Sequence, residues 1–296
     1  MTAGRLLVVG DLATDIVAVH DRPLTPATDT AARIAFRPGG AAANVAAWAA
    51  AAGAPTTLLA RIGTESVDWH RRELERTGVT AVLRVDEERA TAVVVCLVDA
   101  TGERTMLNDR GAGAALGVAD WDDRLLEGVD WVHLSGYLFF AEAGRALGVA
   151  VLDRCRTAGI GVSVDPASAG PLARLGRERF LALAAGSALL LPNLDEARLL
   201  SGAVAADRAA LLLAERSGGL VVVKDGPRGV VLAADGQVLG RVPAPPATPV
   251  DTTGAGDAFT GAFLAARLSG ADPLSAAKAG CAAGSEAVTR PGARPA

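Results

Sequence analysis

The sequence predicts an α/β protein with a mainly parallel central sheet flanked by helices and a small β-sheet lid, forming a single domain over 1–296. Three observations carry this. Short apolar runs rich in β-branched residues alternate with helix-period stretches, the pattern of strands covered on both faces. The length of 296 residues suits one large domain with an appendage better than two large domains. Two stretches break the alternation and read as extra β structure, which assigns the lid to about 12–38 and 81–107.

Taken in order, the strand candidates of the main sheet are "RLLVVG" (5–10), "TTLLARIG" (56–63), "WVHLSG" (131–136), "IGVSVDP" (160–166), "ALLLPN" (188–193) and "LVVVKDG" (220–226). Helix candidates lie between them: "AAANVAAWAAAAG" (41–53), "DWHRRELERTG" (68–78), "GRALGVAVLDRCRTAG" (144–159) and "DEARLLSG" (195–202). Most stop at a glycine, a common helix terminator. β-α alternation implies right-handed crossovers and a ligand at the carboxyl ends of the strands. The first break, 11–38, carries Pro23 and Pro26 and has no helical stripe. The second, "ATAVVVCLVDATGERTML" (90–107), reads as a hairpin around "DATG".

Half of the residues are hydrophobic, only 4% are aromatic, and the net charge is −4. With no stripe of Lys and Arg, nucleic acid and anionic membranes are poor partners. Cys96, Cys155 and Cys281 are scattered, without CxxC or metal-ligand spacing, and fit buried thiols in a reducing compartment. The opening "MTAGRLLVVGD" has too short an apolar run for a signal peptide, and no apolar stretch of ~18 residues follows. A cytoplasmic protein is expected.

The chemistry concentrates in "DTTGAGDAFTGAFL" (251–264). Its glycines let backbone amides approach a ligand, and the helix that follows points its positive end at the same spot, which makes an anion site. Asp257, one turn into that helix, stands beside the anion, where a carboxylate can take a proton from an attacking hydroxyl. Its alternative role is an acidic first-turn residue that complements the helix dipole. "PGGAAANVAAW" (38–48) repeats the device: Gly39 and Gly40 open a helix, and Asn44 sits in its first turn despite poor helix propensity. A substrate hydroxyl would satisfy that amide, as would a local bond. Asp11 and Asp15 follow the first strand, Asp11 reading as a surface loop residue. Asn193 and Glu196 have capping-box spacing. Lys224, at a strand end, would be solvated or would meet a phosphate. No Gly-Lys pair and no GxGxxG after a strand occurs, which argues against a P-loop or an ordinary dinucleotide site.

Together these segments resemble the ribokinase-like, or pfkB-type, carbohydrate kinase family. "GGAAANVAAWAAAAGAPTTLLARIG" (39–63) is similar to its N-terminal signature and "DTTGAGDAFTGAFL" to its C-terminal one. Weaker echoes lie at 102–116, 164–172, 192–196, 221–229 and 287–296. The resemblance implies the ribokinase-like fold and an ATP- and Mg²⁺-dependent phosphotransferase acting on the hydroxymethyl of a sugar or sugar acid, with a homodimer through the lid. By the same resemblance Asp257 is the general base, and the amides of Gly254, Ala255 and Gly256 form the anion hole. Asp15, Gly39, Gly40 and Asn44 hold sugar hydroxyls. Asn193, Lys224, Gly226 and Gly229 border the nucleotide, and Glu196 with Asn193 organises Mg²⁺ through water. Asp251 and Thr253, with "TRPG" (289–292), resemble a monovalent-cation site, so K⁺ activation is expected. Ribokinases usually carry Lys where this chain has Ala41, and an acidic residue where it has Ser135-Gly136-Tyr137, which points away from ribose. Asn108 or Arg110 would instead reach a substrate carboxylate. The alternatives are a nucleoside kinase of the same family and a catalytically silent sugar-binding regulator.

Overall fold

The computed structural model describes residues 3–101 and 103–296. In chain order the strands are β1 (Leu6–Val9), β2 (Ala13–Val19), β3 (Arg33–Gly39), β4 (Thr56–Gly63), β5 (Val79–Asp86), β6 (Ala92–Val98), β7 (Arg104–Asp109), β8 (Trp131–Ser135), β9 (Gly161–Asp165), β10 (Leu189–Leu190), β11 (Leu220–Lys224), β12 (Val230–Ala234) and β13 (Gln237–Val242). The helices are α1 (Ala41–Ala51), α2 (Val67–Arg76), α3 (Glu142–Ala158), α4 (Ala169–Leu175), α5 (Arg177–Leu183), α6 (Leu194–Ser201), α7 (Ala206–Ser217), α8 (Ala255–Leu268) and α9 (Pro273–Ala287).

Nine strands form the main sheet in the order β13-β12-β11-β10-β9-β8-β1-β4-β5. Pairing is parallel from β10–β11 through to β4–β5. Only β12 runs the other way, antiparallel to both of its neighbours β11 and β13, as the turn-containing stretch 221–232 implied. Alternate residues of the strands feed two cores. Leu7, Val9, Leu134 and Val164 pack with Leu147, Val151 and Leu213 on one face. Leu6, Val8, Leu58 and Val222 pack with Val45, Phe259 and Phe263 on the other. Burying both faces is what makes these strands read as unbroken apolar runs.

β1 lies between β4 and β8, so the strand order reverses there and opens a crevice at the carboxyl ends of β1 and β8, where ligands of such sheets bind. A second sheet, β3-β2-β6-β7, covers that crevice. In it β2 pairs antiparallel with β3 and parallel with β6, and β6 pairs antiparallel with β7. This is the expected lid with two corrections. The hairpin is β6 and β7, reaching Asp109 rather than 107. Val79–Asp86, which the expected lid range 81–107 took in all but two residues, belongs to the main sheet as its edge strand, parallel to β4. An edge strand with mixed polar and apolar side chains gives no continuous apolar run, so its sequence looks like lid. The α2 crossover from β4 decides its place.

Candidate active site

All the expected site residues except Gly39, Ala255 and Gly229 line one cavity of about 1460 Å³ between lid and main sheet. Its floor is the N-terminus of α8. Gly254, the residue before the helix, stands at φ 76°, and a Cβ there would lie 2.8 Å from the Cα of Ala293. Only glycine fits both the left-handed backbone and that close approach. Ala255 makes one long amide bond, 3.4 Å to the Thr252 carbonyl. Among the described residues the amides of Gly254, Gly256 and Asp257 have no backbone acceptor outside the helix. First-turn amides free of partners, at the positive end of a 14-residue helix, are a ready anion site.

Asp257 points into this space. Asn44 Nδ2 donates to its Oδ2 at 2.8 Å. Loss of solvent pushes its pKa up to about 7; the Asn44 bond and Lys224 oppose the rise, while Asp165 and Asp11 add to it. A carboxyl group with that pKa can exchange a proton near neutrality. Asn44 is engaged at both ends, because its Oδ1 accepts from Arg294 Nε at 3.4 Å. The structure thus places Asn44 on Asp257, a contact that no local spacing reveals, since 213 residues separate the two.

The residues expected to hold the acceptor follow from β1, β2 and the start of α1. Gly40, at φ 91°, brings the chain so close to the β1–β2 loop that a Cβ would sit 2.6 Å from the Leu12 Cα. Asp11, expected on the surface, instead caps α1: its Oδ2 accepts the amide of Ala41 at 2.6 Å and its Oδ1 accepts Ser135 Oγ at 2.7 Å. Asp15 lies over Gly39, and its carboxylate accepts no hydrogen bond from the described residues. Burial pushes its pKa up to about 6, against the pull of Arg294. A free, half-buried acceptor facing a cavity suits a substrate hydroxyl. Cross-strand register sets Arg37, Asp15, Val94 and Asn108 in one row of the lid, and all four line the cavity.

Among the residues expected to border a nucleotide, Asn193 and Glu196 form the full capping box of α6: the Asn193 amide donates to Glu196 Oε2 and the Glu196 amide to Asn193 Oδ1, both at 2.9 Å. Lys224 is not solvated; it is ion-paired with Asp165, which the sequence reading left without a role. Burial alone would lower the Lys224 pKa, but Asp165, Glu196 and Asp257 outweigh it and hold the ammonium above its ordinary value. Glu196, 1% exposed, is pushed up to about 7 by burial and by Asp165. Three carboxylates thus share one ammonium, and this excess of negative charge fits an incoming divalent cation. No three His, Cys, Asp or Glu side chains among the described residues converge to cage a metal, so Mg²⁺ would be held through water and phosphate oxygens. Gly226 lines the cavity, whereas Gly229 closes the β11–β12 turn, its carbonyl accepting the Asp225 amide at 2.7 Å.

A monovalent cation fits less well. Asp251 Oδ1 accepts the Thr253 amide at 2.8 Å and Arg104 Nη2 at 2.9 Å, and its Oδ2 accepts the Gly292 amide at 3.0 Å. The side chains expected to hold K⁺ are already occupied by a guanidinium.

The family model for pfkB family carbohydrate kinases matches residues 3–296. The chain is 32% identical to a fructokinase of Klebsiella pneumoniae over 271 residues, covering 88% of this chain and 84% of that protein. It is also 32% identical to an ATP-dependent ribose-1-phosphate kinase of Halopiger xanaduensis over 297 residues, covering 98% and 94%. A solved structure of ribokinase from Thermotoga maritima superposes with a TM-score of 0.82 at 28% identity, covering 98% of this chain and 94% of that one. The chain belongs to the pfkB family of carbohydrate kinases.

Proposed function

We propose that the protein transfers the γ-phosphoryl group of ATP to a terminal hydroxymethyl of a small sugar or sugar acid. The observation that supports this best is the Asp257 carboxylate, its pKa raised to about 7, beside unbonded amides at the start of α8. Asp15 and the groups at the start of α1 orient the acceptor so that its hydroxyl meets Asp257. The hydroxyl oxygen bonds to phosphorus as the bond to the ADP oxygen breaks, and its proton passes to Asp257. The amides of Gly254, Ala255 and Gly256 stabilise the charge on the moving phosphoryl oxygens, and Lys224 adds positive charge from the other side. Glu196 and Asn193 would hold Mg²⁺ through water, and the bound ion would supply neutralisation of the phosphate charge. Buried free thiols at Cys96, Cys155 and Cys281 suit a cytoplasmic enzyme.

The acceptor we infer is an anionic sugar. Arg110 lines the cavity, donates from Nη2 to the Tyr137 carbonyl at 2.6 Å, and pairs with no carboxylate among the described residues. Arg145, also lining the cavity, donates only to the Phe139 carbonyl, at 3.3 Å. Two guanidiniums that form no ion pair among the described residues, with Asp11 acting on Arg110 only at longer range, suit a substrate carboxylate. A nucleoside acceptor is the second reading, favoured by Tyr137 and Phe140, which line the cavity and pack edge-on with ring centroids 5.7 Å apart. An ADP-release screen over pentoses, hexoses, 2-keto-3-deoxy acids and nucleosides tests both readings. A sugar acid is expected to give the highest kcat/KM, with Arg110→Met lowering it ~10-fold or more, as for a lost charge-assisted contact. Ribose or adenosine as the best substrate would remove the anionic acceptor while leaving the kinase in place. Absence of ADP release with every acceptor tried would leave the silent-regulator reading standing.

We further propose a homodimer through the lid. Its outer face carries Phe36, Ile16, Val95 and Leu107 in one cross-strand row, with Ile34 beside it. Phe36 is 68%, Ile34 62% and Leu107 59% exposed, a continuous apolar surface that a second copy would cover. Light scattering is expected to give a dimer for the wild type and a monomer for Phe36→Asp; a monomeric wild type at micromolar concentration rejects this assembly.

A further inference from the structure

Arg104 begins β7 on the cavity side of the lid, and the loop that carries the anion-hole amides lies about 150 residues further along the chain. Its Nη2 donates to Asp251 Oδ1 at 2.9 Å. Its Nη1 donates to Thr253 Oγ1 at 2.8 Å and, more distantly, to Thr252 Oγ1 at 3.3 Å. The contact is largely sheltered, since the side chains of Arg104 and Asp251 are 21% and 20% exposed. With the Thr253 and Gly292 amides on the same carboxylate, Asp251 gathers the lid, the loop before α8 and the 289–292 segment at one point.

We propose that the Arg104 guanidinium stands in for a monovalent cation at Asp251 and Thr253, and that it couples closure of the lid to ordering of the anion hole. This rests on the kinase reading of the site. A guanidinium can do what a bound cation would do: neutralise Asp251 and fix the loop that continues into Gly254. It can also do what an ion cannot, because it is covalently part of the lid. When the lid lifts, Arg104 leaves and the loop loses its counter-ion; when substrate draws the lid down, the amides are fixed in the same movement. Arg104 is a positioning residue, as it acts on the reacting phosphate only through residues 251–254. Lysine cannot replace it fully, since one ammonium has no planar fork to span Asp251 and Thr253 together.

The test compares wild type, Arg104→Lys and Arg104→Ala in KCl and NaCl at equal ionic strength, by thermal melting and by turnover. Wild type is expected to melt and turn over alike in the two salts. Arg104→Ala is expected to lose ~10-fold or more in kcat, the scale of a displaced catalytic loop, with a smaller change in KM for ATP. K⁺ should then raise both its melting temperature and its kcat above their values in Na⁺, and low-millimolar guanidinium should restore part of its kcat. Arg104→Lys should fall between the two. Wild type stabilised or activated severalfold by K⁺ over Na⁺ would overturn the proposal. So would an Arg104→Ala enzyme with unchanged kcat, or one that melts like wild type yet is restored by neither cation. The melting comparison needs no turnover, so it separates failure of this inference from failure of the kinase reading.

Discussion

Asp257→Asn is expected to lower kcat by about 10²–10⁴-fold, the usual cost of losing a positioned general base. The amide keeps the shape of the carboxylate and can still accept the Asn44 Nδ2 bond, which is 2.8 Å in the wild type, so ATP affinity should hold. What it cannot do is take the proton of the acceptor hydroxyl. Burial pushes the Asp257 pKa up to about 7, and the base works only when deprotonated. Wild-type kcat/KM should therefore rise about tenfold per pH unit below neutrality and level off above it, reporting the free enzyme. In Asp257→Asn that limb should be lost except for what Glu196, also raised to about 7, contributes. Steady-state kinetics from pH 5 to 9, with ATP binding by calorimetry, check both parts. A variant that keeps more than half of the wild-type kcat, or keeps the same acid limb, would reduce Asp257 to a first-turn residue that complements the helix dipole.

Gly254→Ala should be nearly as damaging, for a reason of geometry. At φ 76° an alanine carries roughly 1–2 kcal/mol of left-handed strain. Its Cβ would also lie 2.6 Å from the Ala293 Cβ and 2.9 Å from the Ala293 carbonyl oxygen. The loop must shift, and the amides that face the phosphoryl group shift with it. Loss of one such donor costs about 10²–10³ in kcat in hydrolases that use the same device. Adding Ala293→Gly removes the side-chain part of the collision, so the double variant should recover melting temperature more than kcat. Gly256→Ala provides the contrast: a Cβ there meets only the end of the Lys224 side chain, Nζ at 3.5 Å and Cε at 4.0 Å, so the fold should be intact while the added carbon intrudes on the proposed phosphate space. Equal melting and equal kcat for Gly254→Ala and wild type would show that these amides do not form the anion site.

Assembly of the lid adds a constraint that neither variant touches directly. Asp15 and Arg104 sit on the inner face of one small sheet whose outer face is apolar, so the proposed substrate contact, loop ordering and dimer all depend on the same four strands. Their β-branched residues alternate between cavity and exterior, Val17 and Val19 facing in while Ile16 pairs with Phe36 outward. A one-residue slip in register would exchange the two faces.

The sequence by itself determined the alternation that makes the main sheet, because strands covered on both faces must be apolar throughout and say so locally. It also determined the two glycine-opened helices, because a diglycine before an alanine-rich helix and Gly-Ala-Gly before α8 are short-range signals of backbone approaching a ligand. The Asn193–Glu196 capping box was legible for the same reason, being complete within four residues. Tertiary structure alone decided what each charged side chain faces. Asp11 reads as a loop carboxylate, yet it caps α1 from 30 residues away. Lys224 reads as a solvated strand end until Asp165 is placed beside it from β9, and Asn44, expected at a substrate hydroxyl, lines the cavity with its amide bonded to Asp257. Asp251 resembles a cation ligand, and only the folded lid shows Arg104 against it. Edge strand β5 was misassigned to the lid because an exposed edge lacks the apolar run that marks a buried strand. The division has one physical cause: hydrophobic periodicity and backbone geometry are written in neighbouring residues, whereas the partner of a buried charge is chosen by topology from anywhere in the chain.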